Sequence, residues 1–315
     1  MRCVLDCDPG HDDAVAILLA AKHLEVVGIT TVSGNQSLAK VTHNARAVLE
    51  LGGLTDIPVA AGMSRPMVAD PVHAPEIHGE SGLDGAELPE PTVPVVPEHA
   101  VQFILDASRR YDDLWLLAVG PLTNVAVALV QDPGLAQRIA GISLMGGSLT
   151  FGNSTPAAEF NIWCDPEAAD VVFRSGIPIR MFGLNVTRQV GAGHPEIDRI
   201  RALGSPPART VADLLAAYRG NLERALGVTT ASLHDPLAAA WLVDPALCEL
   251  QAMHVGVELT GTHTRGMTVC DYRHTADGAP PDAAVRPRGE LNAEVAVTVD
   301  APAFFDLLTE TLAAY

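Results

Sequence analysis

Aromatic side chains are scarce in this sequence: Phe, Trp and Tyr make up 4% of its 315 residues, whereas hydrophobic residues as a whole reach 48%. A core of that composition is built mostly from Ala, Val, Leu and Ile, which suits a parallel sheet covered by helices. Basic residues are also few. Twenty Lys and Arg stand against 38 Asp and Glu, a formal net charge of −18. Phosphate backbones reward Lys and Arg, so this balance argues against a nucleic-acid partner, and polyanionic substrates are disfavoured unless a metal reverses the sign locally. The five cysteines form no CxxC pair and are odd in number, which favours reduced thiols in a cytosol. No apolar run reaches membrane-spanning length, and the N-terminus enters a strand-like run at once, with no basic region followed by a long apolar one. A soluble cytoplasmic protein without a membrane or nucleic-acid partner is the expectation.

What is abundant is acid near the N-terminus. In CVLDCDPGHDDAVAILLA, Cys3 to Ala20, four aspartates (Asp6, Asp8, Asp12 and Asp13) fall directly behind a short apolar run. Cys3–Cys7 reads as a buried strand closed by Pro9-Gly10, and Ala14–Ala21 as an apolar helix. Asp6 and Asp8 share one side of a strand, while Asp12 and Asp13 sit where a helix begins and its exposed N–H groups favour carboxylates. All four can crowd one small volume. Close carboxylates raise one another's pKa unless a positive charge sits among them, and no Lys or Arg lies between Arg2 and Lys22. A bound cation is the simplest answer. Oxygen donors, with no Cys or His pair at zinc spacing, point to a hard ion such as Ca²⁺ or Mg²⁺.

Along the chain, strand-like runs at Val26–Val32, Val59–Ala61, Leu114–Val119, Ile142–Met145 and Ile179–Leu184 alternate with helical patterns at Leu38–Leu51, Glu98–Tyr111, Leu122–Val130 and Pro166–Arg174. Such alternation predicts an α/β fold with an open, mostly parallel sheet flanked by helices. Beyond Gly204 come helical patterns at Pro207–Leu226 and Asp235–Val243, strand-like runs at His254–Leu259 and Val295–Val299, and a last helix at Pro302–Leu312. No linker or repeat divides the chain, so residues 1–315 read as a single domain. Met63–Pro97 and Asn185–Pro206 read as long irregular connections of the kind that form lids or binding loops. Ala276–Glu290, with its three prolines, reads as a surface excursion.

Ligands of open parallel sheets bind beyond the carboxyl ends of the strands. Asp8, Gly34-Asn35, the Gly120–Asn124 segment, Met145-Gly146-Gly147, and Asn185 with Thr187 follow the strands there. Asn153, Glu159, Asn161 and Asp165 come just after the fifth strand, and His234-Asp235 opens a distant helix. Singly, Asn35 suits a turn, Asp235 a helix cap and His234 a surface histidine. Together they point to one crevice. His43, His99, His194 and His254 have no such setting and read as structural or surface residues, whereas His11, His73 and His78 lie in loops that face it.

The motifs DCDPGHDD (Asp6–Asp13), TTVSGNQ (Thr30–Gln36), HGESG (His78–Gly82), MGG (Met145–Gly147), AEFNIWCDPEAA (Ala158–Ala169) and HDP (His234–Pro236) resemble, in that order, those of nucleoside hydrolases of the inosine-uridine-preferring type. The likeness runs over nearly the whole length. It implies a Rossmann-related open sheet, a bound Ca²⁺, and hydrolysis of the N-glycosidic bond of ribonucleosides to ribose and free base. It implies Asp8, Asp13, Asp235 and the Val119 carbonyl as calcium ligands. Asp12, Asn35, Asn153, Glu159, Asn161 and Asp235 would hold the ribose, with the Met145 backbone nearby and His78 on a flap over the base. Asp8 would act as the base and His234 as the acid for the leaving group, in a homo-oligomer, dimer or tetramer. The chemistry is coherent, because breaking a ribosyl C–N bond builds positive charge that carboxylates and amides stabilise.

One departure concerns the base. Family members acting broadly often carry aromatic residues shortly before the HDP motif, but here the segment YRGNLERALGVTTASLHDP holds only Tyr218, sixteen residues before His234, with Arg224 on a helix that could face the base. Two alternatives from other classes are a non-catalytic calcium-dependent riboside binder and a phosphatase of the haloacid dehalogenase type. The latter also uses a strand ending in DxD, but it expects a Thr or Val where Gly10 stands.

Overall fold

The structure is a computed structural model that describes residues 1–271, 273 and 289–315. Most of the surface excursion expected at residues 276–290 lies outside the described residues. Six strands, β1 (Arg2–Cys7), β2 (Glu25–Thr31), β3 (Val59–Ala61), β4 (Leu114–Ala118), β5 (Gly141–Met145) and β6 (Ile179–Phe182), pair in parallel in the order β3-β2-β1-β4-β5-β6. The strand Ala293–Val299 joins parallel to β6, and Cys248–Met253 closes that edge antiparallel, which completes eight strands. The expected open, mostly parallel sheet is the observed one.

The chain runs outward from β1 through β2 to β3 and then returns to β4 on the other side of β1. The order therefore reverses between β1 and β4, and a reversal leaves a crevice beyond the strand ends where no crossover helix can sit. Asp8 follows β1 and Val119 follows β4, so both stand at its mouth.

Helices cover both faces. His11–His23, Pro206–Leu226, His234–Val243 and Ala301–Ala313 bury their apolar sides in one core, and Ala100–Arg110, Thr123–Gln131 and Pro166–Phe173 in the other. Strand β1 divides between them by alternation: Cys3, Leu5 and Cys7 serve the first core and Val4 the second. The helix His11–His23 is buried at every position from His11 to Ala20. A helix with no polar face must lie inside, here packed against His234–Val243. That packing brings Asp12-Asp13 and Asp235, more than two hundred residues apart, to one place.

Two readings are corrected. Asn185–Pro206 is not irregular: it holds a helical turn at Leu184–Thr187, a short strand Gly191–Ala192 paired with Ala231–Ser232, and the helix His194–Ala202. Glu196 starts that helix by accepting from the Gly193 N–H at 2.8 Å, and only Ile197 and Ile200 are buried, too few to print a clear period on the sequence. The expected strand His254–Leu259 shrinks to Val255–Val257, which pairs with Thr268–Cys270 outside the main sheet, while Cys248–Met253 takes the sheet edge. Met63–Pro97 is long and irregular as expected, apart from the turn Pro75–His78.

Asn124 holds the strand ends under the crevice together. Its Nδ2 donates to Asp6 Oδ1 at 2.7 Å and to the Thr31 carbonyl at 3.0 Å, and its Oδ1 accepts from the Met63 N–H at 2.8 Å. The Asn124→Ala variant leaves these buried groups short of partners, each at roughly 1–3 kcal/mol. Urea unfolding is expected to show a loss of about 3 kcal/mol, and a loss below about 1 kcal/mol would remove Asn124 from this role.

Candidate active site

The reversal point opens into a pocket of about 370 Å³, large enough for a small polar molecule. Asp12, Asn35, His78, Val119, Met145, Asn153, Glu159, Asn161, His234 and Asp235 all line it. Asp8 and Asp13 are buried behind this lining, tied to it by Asn35, whose N–H donates to Asp8 Oδ2 at 2.6 Å and whose Nδ2 donates to Asp13 Oδ2 at 3.2 Å.

Carboxylates dominate the floor. Oxygens of Asp12, Asp13 and Asp235 lie within 4.8 Å of one another, and all three residues are buried. Burial, then the charge of Asp13, raises Asp12 to about 8 and lifts Asp8 well above the carboxylate range; burial, then Asp12, does the same to Asp235. Asp13 is raised by burial, against hydrogen bonds that lower it, among them the Gly10 N–H at 2.9 Å. Acids so placed hold protons unless a cation replaces them. Two further observations fit a cation. Asp8 Oδ1 is buried with no hydrogen-bond partner, a costly state that a metal ligand would not suffer. The Asp8 carboxylate also lies against Gly34 and Gly120, where a Cβ at Gly120 would approach Oδ1 to 2.6 Å, so both backbones leave it room. Val119 presents its carbonyl nearby, where it accepts from Asn161 Nδ2 at 2.8 Å.

Asp6, read from the sequence as part of the same crowd, is used differently. Its Oδ1 accepts from Thr30 Oγ1 at 2.5 Å and from Asn124 Nδ2, which binds it into the sheet. Asp235 takes the fourth place in the acidic group. Asn185 and Asp165 likewise serve the scaffold: Asn185 bridges the Leu149 N–H and the Ala296 carbonyl, and Asp165 accepts from Thr123 Oγ1 and the Met67 N–H.

The adjoining wall is made of amides and one more acid. Glu159 caps the short helix Phe160–Cys164 and accepts from the N–H groups of Asn161 at 3.0 Å and Gly147 at 2.9 Å; burial lifts it to about 7. Asn161 Nδ2 also reaches the Met145 carbonyl at 3.1 Å, and Asn153 Oδ1 accepts from the Phe160 N–H at 2.9 Å. These bonds fix three side chains that line the pocket.

The opposite end is apolar, lined by Val72 and Ile77 of the Met63–Pro97 connection and by Leu222 and Leu226 of the long helix. The connection is clipped down at several points: His73 Nδ1 donates to the Gly34 carbonyl at 3.0 Å, and Asn221 Nδ2 donates to the Ile77 carbonyl at 2.8 Å. His234 Nδ1 shares a 2.7 Å hydrogen bond with Thr187 Oγ1. Burial, then the charge of Arg188, lowers His234 to about 3, so the ring is neutral near pH 7.

Sequence reasoning left several lining residues out. Phe160, Trp163, Arg188 and Ser232 face the pocket, and Arg188 lies over the Phe151 ring at 4.7 Å. Phe160 and Trp163 stand inside the AEFNIWCDPEAA motif, Arg188 directly follows Thr187, read as site-facing, and Ser232 falls just before the HDP motif, which was their only signal. Tyr218, apparently distant from the HDP motif, is buried and lines the pocket, because the long helix folds back over it. Arg224 does not face it; it is exposed and bonded to Asn221 on the outer side of that helix.

Residues 3–306 match the family model described as inosine-uridine preferring nucleoside hydrolase. The chain is 44% identical over 316 residues to a protein named pyrimidine-specific ribonucleoside hydrolase RihA from Escherichia coli O7:K1 (strain IAI39 / ExPEC), covering 99% of this chain and 98% of that one. It is 43% identical to a protein of the same name from Enterobacter sp. (strain 638), covering 99% and 97%. Among solved structures it resembles a plant nucleoside hydrolase, with TM-score 0.90, 31% identity and coverage of 100% and 99%. It also resembles a purine-preferring ribonucleoside hydrolase from Gardnerella vaginalis, with TM-score 0.89, 34% identity and coverage of 100% and 98%.

If the acidic floor holds a divalent ion, removing it with a chelator is expected to lower the thermal midpoint by several degrees. An ion at about 100 times its dissociation constant stabilises by roughly 2.7 kcal/mol. Asp235→Ala should show no such shift on adding or removing the ion. A midpoint indifferent to chelation in both proteins excludes a metal from this floor.

Proposed function

The chain belongs to the inosine-uridine preferring nucleoside hydrolase family, and from that premise we propose that it is a calcium-dependent enzyme that prefers pyrimidine ribonucleosides. Hydrolysis of the N-glycosidic bond of ribonucleosides is the reaction of the family, and the family uses a metal. The preference for uridine and cytidine rests on the relatives at 43% and 44% identity that are named pyrimidine-specific; the purine-preferring neighbour is more distant, at 34%. Calcium rather than magnesium is favoured by the donor set, several carboxylates with a carbonyl and few places for the water shell that magnesium keeps.

The observation that carries the reading is the floor: three carboxylates within 4.8 Å, with the unpartnered Asp8 Oδ1 beside them. We assign Asp8, Asp13, Asp235 and the Val119 carbonyl to the ion. When bound, calcium supplies positive charge that acidifies water and orders sugar hydroxyls. Asp8, whose Oδ1 has no other hydrogen bond, is suited to accept the proton of the attacking water. Asp12, Asn35, Asn153, Glu159, Asn161 and Asp235 hold the ribose, with the Met145 carbonyl close by. Their negative charge and amide dipoles favour the cationic sugar of the transition state over the neutral ground state. The apolar end then receives the base. There His78 closes over it, and His234, neutral and held by Thr187, meets it through hydrogen bonding rather than as a charged acid.

Residues 1–315 act in this reading as one catalytic domain, and the resemblance supports a cytoplasmic homo-oligomer. Among the described residues no helix is long and apolar enough to cross a membrane, and all five cysteines are free.

Ribose release from uridine, cytidine, inosine and adenosine tests the proposal. Uridine and cytidine are expected to exceed the purines by at least about 10-fold in kcat/KM, a difference of roughly 1.4 kcal/mol in the transition state. The reverse order overturns the preference, and no release from any of the four overturns the activity. Asp8→Asn keeps the volume but not the basicity, and should lower kcat by about 10³-fold with the circular dichroism unchanged. Turnover within a few-fold of wild type would take Asp8 out of the chemistry.

A further inference from the structure

Three rings meet under the flap. His11, His78 and Tyr218 stack with centroids 5.4, 5.3 and 5.3 Å apart and interplanar angles of 26°, 4° and 23°. All three are buried, but only His78 and Tyr218 line the pocket. The hydrogen bonds around them leave little choice of proton position. The His11 backbone N–H donates to His78 Nδ1 at 3.2 Å, so that nitrogen is an acceptor and carries no proton. His11 Nε2 lies 2.8 Å from the Asp84 carbonyl, an obligatory acceptor, so the His11 proton sits on Nε2. His11 Nδ1 is then bare as well, and the 3.2 Å approach of the two Nδ1 atoms brings lone pairs together without a proton between them. Something other than that contact holds the rings in place.

The stack with Tyr218 and the backbone of Gly10 do so. A Cβ at Gly10 would come within 2.5 Å of His78 Nδ1, so the His78 ring rests directly on the turn that begins the first helix. Burial, then the neighbouring His11, pushes His78 well below the ordinary histidine range, in agreement with a neutral ring.

We propose that His11 and Tyr218 are positioning residues that lock His78 as its Nε2-protonated neutral tautomer, fixing one N–H donor toward the leaving base of the substrate. The proposal rests on the nucleoside-hydrolase reading of the pocket for the identity of that base. Its chemistry suits a base with a carbonyl next to the glycosidic nitrogen, the arrangement of uracil and cytosine, because negative charge from the broken C–N bond spreads onto that oxygen. A donor already oriented needs no reorganisation as the charge appears. Asp84 contributes through its backbone carbonyl, and its side chain belongs to the flap, where it accepts from the N–H groups of Glu80 and Ser81.

The histidine ring tautomers are read directly by long-range proton–nitrogen NMR correlation on the folded protein, without substrate. Wild type and Tyr218→Phe are expected to show His78 protonated on Nε2 alone, and Tyr218→Leu a mixture of tautomers. In turnover, Tyr218→Leu should lose about 10-fold in kcat on uridine with KM within roughly 3-fold of wild type. On a 4-nitrophenyl riboside, whose leaving group needs no such help, it should lose less than about 3-fold, and Tyr218→Phe should match wild type on both. An Nδ1-protonated His78 in the wild-type protein overturns the proposal without any variant. Equal losses on the two substrates, or a Phe variant as impaired as the Leu variant, also overturn it. The tautomer measurement separates the two readings: correct tautomers without ribose release sink the assigned activity alone, and ribose release with the wrong tautomer sinks the positioning role alone.

Discussion

Buried negative charge is the constraint on which this molecule turns. Four carboxylates, Asp8, Asp12, Asp13 and Asp235, meet in a buried floor, and among the described residues Arg188 is the one Lys or Arg that lines the pocket above it. Isolated, such charges are expelled from a protein interior or held as protonated acids. Here the surrounding chain is shaped to keep them. Backbone N–H groups of Asp8, Gly10, Asn35 and Asp235 point at them, and glycines at positions 34 and 120 let two loops close around Asp8. An unpaired Asp8 oxygen inside so well-bonded a setting is the mark of a site that spends stability on function.

The fold supplies the place for that charge. A parallel sheet with reversed strand order leaves one gap between its crossover helices, at the ends of β1 and β4. From Ala14 to Ala20 the first helix is apolar and buried on all sides, which carries its acidic first turn into the gap. The helix that begins at His234 is held against it by the same burial and brings Asp235. Hydrophobic packing thus does the assembling, and electrostatics decides what the assembled volume can hold. On the far side, amides fixed by backbone partners give a rigid rim, while the long connection Met63–Pro97 and the helix Pro206–Leu226 line an apolar end.

Much of this was legible in the sequence because it is local. Strand and helix alternation, and the acids at a strand end and helix start, are each written within short stretches. The helix His194–Ala202 was not legible, since only two of its residues are buried and its start depends on one Glu196 side chain. The edge strand Cys248–Met253 was missed for a related reason: an edge strand is half solvated, and its burial depends on what pairs with it.

What the sequence determined by itself was the class of fold, from periodicity, and the acidic character of the site, from a dense run of aspartates, because both act over short distances and need no partner to be recognised; the family was legible as the likeness of six motifs in order. What only the tertiary structure decided was membership: Asp6 left the acidic group for the sheet, Tyr218 joined the pocket from sixteen residues before the HDP motif, and Arg224 turned away. Which side chains share a volume is set by how buried helices pack across the sheet, and that packing is a property of the whole chain.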